Sequence, residues 1–340
     1  MKHMGEEAKN PSVSVLPPAE YQTWDKFVRD SPQGNLFHTI TWVDILSRHF
    51  KRKYQILIIR WNDQPVGGCL VFEHSRFGQP MITPVPLYPY SAPLLYRPVD
   101  EKPQKTIANN LQIATALIVF LNQRYGLWIL ESSYLFTDMR AFQWAGFEIT
   151  PRYTYLLELK EQQELEEGFS QSLRKKIRQA REMQPAVLIS TDPAEFIRHY
   201  LASYKRHGLK ALLAEKDLLK LLPDLLSLPQ VKLFYLQFQN RIVASRIIVV
   251  DQTTIYDLLA GSIDETGLGS AYLLAHILDS YAAQNYRFNF LGADQSQIEQ
   301  FKRSFGGQLV HGFLITKPVR FPLSLLLKMR KYTLLKRRVL

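Results

Sequence analysis

At 340 residues, with 46% hydrophobic and 12% aromatic content, the chain can build real cores, and its length makes two domains the expectation. Its one cysteine, Cys69, excludes an internal disulfide, and the apolar run GGCLVF around it reads as a buried strand rather than the setting of a nucleophile. The net charge of +11 suggests a polyanion partner until it is located: residues 317–340 hold eight Lys and Arg and no acid, leaving 34 basic against 31 acidic residues elsewhere.

The first residues, MKHMGEEAKNPSVSV, contain acids and no apolar core of a secretory signal, so 1–18 reads as a loose terminus. Tyr54 to Trp61, the turn Asn62-Asp63 and Val66 to Glu73 read as a strand, turn and strand. Tyr88, Tyr90 and Ser91 in PLYPYSAP form a rigid aromatic loop, either an acceptor lip or a proline-rich crossing between strands. Asp100-Glu101-Lys102-Pro103 leads a long helix, Gln104 to Arg124. Its most apolar run, around Ile113 to Leu121, is too short to span a bilayer, and a cytoplasmic location is the default. A strand at Leu127 to Leu130, a short helix at Asp138 to Ala145 and a strand at Tyr153 to Leu159 complete the half.

Glu161 to Met183 is one helical stretch, acids first and cations later, in accord with the helix dipole. Leu173, Ile177 and Ala180 keep one side apolar, while Arg174, Lys175, Lys176, Arg178 and Arg181 crowd two turns. These cations are a solvated face or a set of phosphate contacts. The second half then repeats the first: strand Val231 to Gln239, turn at Asn240, strand Ile242 to Val250, then helix Ser270 to Gln284, strand Tyr286 to Leu291, helix Gln295 to Ser304 and strand Leu309 to Thr316. Two α/β units of one topology are expected.

The second copy holds the candidate chemistry. Gly267, Leu268, Gly269, Ser270 and Ala271 open a helix whose first N–H groups lack helical partners, so they could bind an anionic group such as a pyrophosphate, or simply form an ordinary loop and cap. Tyr256 and Asp257 lie in the strand TTIYDLLAG, and Asp294 follows the next strand; strand ends facing a cleft suit acid–base roles, although Asp294 also reads as a turn cap. His276 on the helix and His311 on the last strand are further bases or satisfied structural histidines. There is no paired Cys/His spacing, so no metal is expected, and neither a P-loop nor a nucleophile elbow occurs. In the tail, FPLSLLLKMRKYTLLKRRVL interleaves leucines with cations, as does a helix lying on an anionic membrane surface or one docked on its own domain, with tRNA or another polyanion as a third partner.

The duplicated units, the LRKKIRQAREM connector, GLGSAYLLAHILDSYAAQNYRFNFLGA and the FKRSFGG ending together resemble the FemAB-like branch of the GNAT superfamily of N-acyltransferases, over roughly Asn35 to Thr316. The resemblance implies two tandem GNAT folds around a shared cleft, with an amine acceptor attacking an activated acyl or aminoacyl group directly. It places Lys302, in FKRSFGG, where a lysine serves the tetrahedral intermediate, and Arg174 and Arg178 where acceptor phosphates bind. Departures accompany it. Asp264 stands where GNAT acetyl-CoA loops carry Gln or Arg, with Glu265 after it; the first half lacks a glycine-rich helix opening; no lysine follows Trp42 closely; and no long helical hairpin for tRNA interrupts the second half.

The expected architecture is a mixed α/β chain with an N-terminus at 1–18, a first GNAT-like unit at 19–160 serving the acceptor or the architecture, a connector helix at 161–184, a donor unit at 185–316 and a basic tail at 317–340. The expected function is transfer from acyl-CoA, slightly preferred, or aminoacyl-tRNA to an amine of a cell-envelope, peptidoglycan or polysaccharide precursor at the inner face of the membrane. The alternative is a catalytically silent relative that binds a lipid-linked or polymeric anion. Neither the base nor the oligomeric state is assigned by the sequence.

Overall fold

The computed structural model describes residues 10–76, 78–96 and 101–317. The amphipathic reading of the tail falls on 318–340 and so lies outside the described residues. The chain divides into two compact units, one holding residues 10–151 and 312–317, the other 152–311. The division falls inside a strand rather than at residue 160, and 161–184 belongs wholly to the second unit.

The first unit runs β1 (Ser12–Val15), α1 (Tyr21–Asp30), α2 (Ile40–Phe50), β2 (Lys53–Trp61), β3 (Gln64–Arg76), β4 (Gln79–Ile82), β5 (Leu94–Leu95), α3 (Pro103–Arg124), β6 (Leu127–Glu131) and α4 (Arg140–Trp144). Asn62 and Asp63 both take positive φ, 49° and 62°, as a two-residue hairpin turn requires. Pro103 sits in the first turn of α3, where a missing N–H costs nothing. Strand order is β1-β2-β3-β4-β6, with β5 on β3, and β4 and β6 run parallel because α3 crosses between them. Cys69, Val71, Leu117, Leu121, Trp128 and Phe142 fill the core, which leaves the thiol buried as expected.

The second unit takes its first strand from β7 (Glu148–Glu158) and continues with α5 (Gln162–Gly168), α6 (Gln171–Glu182), β8 (Ala186–Ser190), α7 (Ala194–Arg206), α8 (Glu215–Leu226), β9 (Val231–Phe238), β10 (Arg241–Asp251), β11 (Thr254–Ser262), α9 (Leu268–Ser280), β12 (Arg287–Asn289), α10 (Ser296–Arg303) and β13 (Gln308–Thr316). Its sheet has the order β8-β9-β10-β11-β12-β7. The β9–β10 turn repeats the first hairpin's conformation, with φ of 45° at Gln239 and 62° at Asn240. α9 crosses between the parallel strands β11 and β12, as α3 does between β4 and β6. The hairpin, third strand, crossing helix, parallel strand and short helix therefore occur twice.

The stretch expected as one connector helix is two. Phe169 is buried and extended, and the Ser170 hydroxyl accepts from the Leu173 N–H at 3.3 Å, which caps α6 as a new helix. Leu173, Ile177 and Ala180 then pack in one core with Leu273, Leu274 and Ile277 of α9.

Candidate active site

The site begins where two parallel strands part. β11 and β12 pair at Thr254 with Arg287, Ile255 with Phe288 and Tyr256 with Asn289, and the pairing ends there. Past Asn289 the chain bonds away from β11: the Phe290 N–H donates to the Tyr155 carbonyl at 3.1 Å and the Ala293 N–H to the Tyr153 carbonyl at 2.7 Å. Positive φ at Leu291 (44°) and Gly292 (90°) turns the backbone, and the Asn289 Oδ1, accepting from the Leu291 N–H at 3.0 Å and the Thr154 hydroxyl at 2.9 Å, fixes that turn. β11 meanwhile continues along β10 to Ser262. Asp257 is its first residue beyond the parting point.

The turn presents three carbonyl oxygens to one place, and the Lys302 ammonium fills it. Its Nζ donates to Phe290 O at 2.5 Å, Leu291 O at 3.2 Å and Gly292 O at 2.6 Å. An ammonium has three hydrogens, so none remains for a reacting oxygen in this geometry. Burial pushes the Lys302 pKa down to about 8, with Asp257 raising it, Arg246 lowering it and Asp294 raising it. These four side chains are thus one electrostatic group.

Arg246 was not anticipated from the sequence. On β10 it lies two residues from Ile248, which pairs with Asp257, so Arg246 and Asp257 are diagonal neighbours on one face. Their side chains form an ion pair, Arg246 Nη1 to Asp257 Oδ2 at 2.5 Å. Arg246 is 4% and Asp257 7% exposed, and the Arg246 Nε and Asp257 Oδ1 have no hydrogen-bond partner among the described residues. Each such unmet group costs about 1–3 kcal/mol, more when charged, so the pair is costly as it stands. The signal for Arg246 was present in ASRIIVV, a cation at an interior position of an apolar strand, but its partner follows only from the register and the bulge after Ile247.

The other expected residues lie as follows. Asp294 accepts from the Tyr153 N–H at 3.0 Å and pairs with Arg152 at 2.9 Å, a turn-fixing role. Tyr256 is buried on the strand face opposite Asp257. At the opening of α9, the Asp264 carboxylate takes the Gly269 N–H at 2.7 Å and the Thr266 N–H at 2.9 Å, while Thr266 Oγ1 takes the Leu268 N–H at 3.2 Å. Burial pushes the Asp264 pKa up, but hydrogen bonds from the Thr266 hydroxyl and the Gly269 and Thr266 N–H groups hold it below the usual carboxylate range. Ala271 is fully buried, and helix α9 starts at Leu268 rather than Ser270. A coenzyme A pyrophosphate at this helix start would meet the Asp264 carboxylate.

His276 stacks on Tyr272, and burial lowers its pKa; His311 lies against Tyr153, ring centroids 6.2 Å apart. Arg174 and Arg178 are exposed on α6, and Arg181 pairs with Glu166. In the first unit Tyr88 and Tyr90 are buried, the Tyr88 hydroxyl donates to Leu70 O at 3.0 Å, and Tyr90 packs edge-on to Phe37. They pack as core rather than as an exposed lip. Among the described residues no His, Cys, Asp and Glu group could hold a metal, and no helix is long and apolar enough to cross a membrane.

Residues 168–303 match the family model of the acetyltransferase (GNAT) domain. Comparison with curated proteins finds no match. Among solved structures, FemX is similar at 13% identity over 89% of this chain and 96% of that one, with a TM-score of 0.64. A conserved protein of unknown function from Bacteroides thetaiotaomicron is similar at 13% identity over 90% and 99%, with a TM-score of 0.55. L-PGS from Bacillus licheniformis is similar at 14% identity over 96% and 98%, with a TM-score of 0.52. The second unit is a GNAT domain of the N-acyltransferase class. The chain as a whole is similar in fold to FemX.

Proposed function

We propose that this chain transfers an acyl or aminoacyl group to an amine of a cell-envelope or glycan component, by direct attack of the amine on the acyl carbon. The observation that carries the reading is the buried Arg246–Asp257 pair beside Lys302, at the point where β11 and β12 part. Acyl transfer needs a place for the amine proton and a positive group for the carbonyl oxygen, both shielded from water. The GNAT family match and the likeness in fold to FemX and L-PGS support an envelope or lipid acceptor.

Of the two donors, an aminoacyl ester such as aminoacyl-tRNA is favoured over acyl-CoA, because the Asp264 carboxylate takes the Gly269 N–H and puts a negative charge at the helix start where a pyrophosphate would sit. Lys302 then serves the site by holding the 290–292 turn, and so the parting of the strands. The test supplies the purified full chain with acyl-labelled aminoacyl-tRNA or acyl-CoA and an amine-bearing lipid-linked or glycan precursor, and follows the label by mass spectrometry. Label moving from the aminoacyl ester to the amine is expected; transfer from neither donor to any acceptor overturns the reading. A donor copurifying with the protein would independently select between the two.

A further inference from the structure

Inside the second unit the buried side-chain atoms without a hydrogen-bond partner among the described residues are His199 Nε2, Arg246 Nε and Asp257 Oδ1, and the last two belong to bonded neighbours. Arg246 Nε and Asp257 Oδ1 are both buried without partners among the described residues, while the guanidinium and carboxylate that carry them are locked together through Nη1 and Oδ2. Buried polar atoms are almost always satisfied, so an unmatched donor and an unmatched acceptor on two paired side chains point to a group that supplies one of each. The nearby cation cannot serve: Lys302 has all three hydrogens on the carbonyls of Phe290, Leu291 and Gly292. Asp294 is engaged elsewhere, one oxygen accepting from the Tyr153 N–H and the other paired with Arg152.

We propose that Arg246 is a catalytic residue of the acyl transfer, its Nε–H receiving the carbonyl oxygen as that oxygen gains charge, with Asp257 Oδ1 receiving the proton that the attacking amine gives up. The inference rests on the proposed function above and assigns its two polar roles to one ion pair. As the amine nitrogen bonds to the acyl carbon, the carbonyl π pair moves onto oxygen and is met by Nε–H. The ammonium proton passes to Asp257. The bond from carbon to the leaving oxygen or sulfur then breaks, the carbonyl re-forms, and the leaving group takes the proton from Asp257, so the carboxylate returns to its starting state. The ion pair also fixes which carboxylate oxygen is free, since Oδ2 stays on Nη1.

The test is Arg246→Lys, which keeps a cation beside Asp257 but removes the planar fork and its Nε–H, with Asp257→Asn beside it. Thermal unfolding establishes that each variant is folded. For Arg246→Lys the expected result is a kcat lower by about 100- to 1,000-fold at unchanged KM for both substrates, the size found when one oxyanion donor is removed. For Asp257→Asn the expected result is a kcat lower by about 100-fold or more at unchanged KM, the size of a general base's contribution. A folded Arg246→Lys with kcat near that of the parent, or a drop carried by KM, overturns the assignment of Arg246, and a folded Asp257→Asn with kcat near that of the parent overturns that of Asp257. Should Arg246→Lys not fold, the assignment of Arg246 rests on Arg246→Gln, which keeps a neutral N–H donor and should retain more kcat than Arg246→Met; equal rates overturn it. If the parent chain itself transfers no acyl group from either donor, the functional reading fails and this proposal with it, an outcome separate from an active parent with an unimpaired variant.

Discussion

The Lys302 ammonium is surrounded by the Phe290, Leu291 and Gly292 carbonyls, so it stabilises a turn whose φ values of 44° and 90° disfavour ordinary backbone. Lys302→Met keeps the apolar stem but leaves three carbonyls without their donor. It should cost on the order of 1–3 kcal/mol in denaturant unfolding and also lower the transfer rate, because the strands would no longer be held apart as they are. A variant with full stability and full rate would remove both roles. The same residue predicts a pH dependence. Its folded pKa of about 8 lies below the 10.5 of a free lysine, so between those values the unfolded chain holds a proton that the folded one has shed. Stability therefore rises with pH through that window. The difference between the parent and Lys302→Met, measured by denaturant at pH 7.5, 9 and 10.5, should grow in the parent's favour, and a flat difference would contradict the shift.

Elements were legible in the sequence where local chemistry decides them. Asn62-Asp63 and Asn240 carry the turn residues of their hairpins, and both structural turns take the positive φ that those residues tolerate. Helices α3, α9 and α10 were visible from spacing and end signals, each displaced by one to four residues at an end. Elements that depend on distant partners were not visible: the break at Phe169-Ser170 needs the core that buries Phe169, and α7 and α8 are held by the sheet they cover. Gly261 shows that covering directly. A Cβ there would sit 2.4 Å from the Tyr200 N and 2.6 Å from the His199 C, which are helix backbone and cannot yield as a side chain would. Gly261→Ala should thus push α7 off β11 and cost roughly 1–3 kcal/mol, seen as a lower Tm; an unchanged Tm would mean that the helix can shift freely. At the start of α9, Asp264→Ala removes the acceptor for two N–H groups and should cost about 0.5–2 kcal/mol, a cap's usual worth. If it also lets acyl-CoA serve as donor, Asp264 is what excludes the pyrophosphate; if the donor preference is unmoved, the exclusion lies elsewhere.

At the scale of the molecule, the repeat could be read from the sequence because each hairpin, crossing helix and parallel strand has its own local signals. The division of the chain could not, since β7 and β13 each pass from one unit to the other within a single strand. The site followed the same rule: Asp257 and Lys302 are visible as a polar residue in a strand and a lysine in a recognisable ending, whereas the Arg246–Asp257 pair exists only through strand register. Charge is the remaining property of the whole chain. With 34 basic against 31 acidic residues before the tail, the body has no general attraction for anions, so any phosphate selectivity in the described residues must come from local clusters. Arg174 and Arg178 make one: both are exposed on α6, and neither has a side-chain ion pair among the described residues. If they bind acceptor phosphates, Arg174→Glu with Arg178→Glu should raise the KM of a phosphate-bearing acceptor at least tenfold, leave kcat unchanged, and weaken the dependence of KM on salt. An acceptor of the same amine without phosphate supplies the control, because its KM should not move. Equal effects on both acceptors would mean that the reversal disturbs α6 and the α9 core behind it, and the phosphate role of these two arginines would fall.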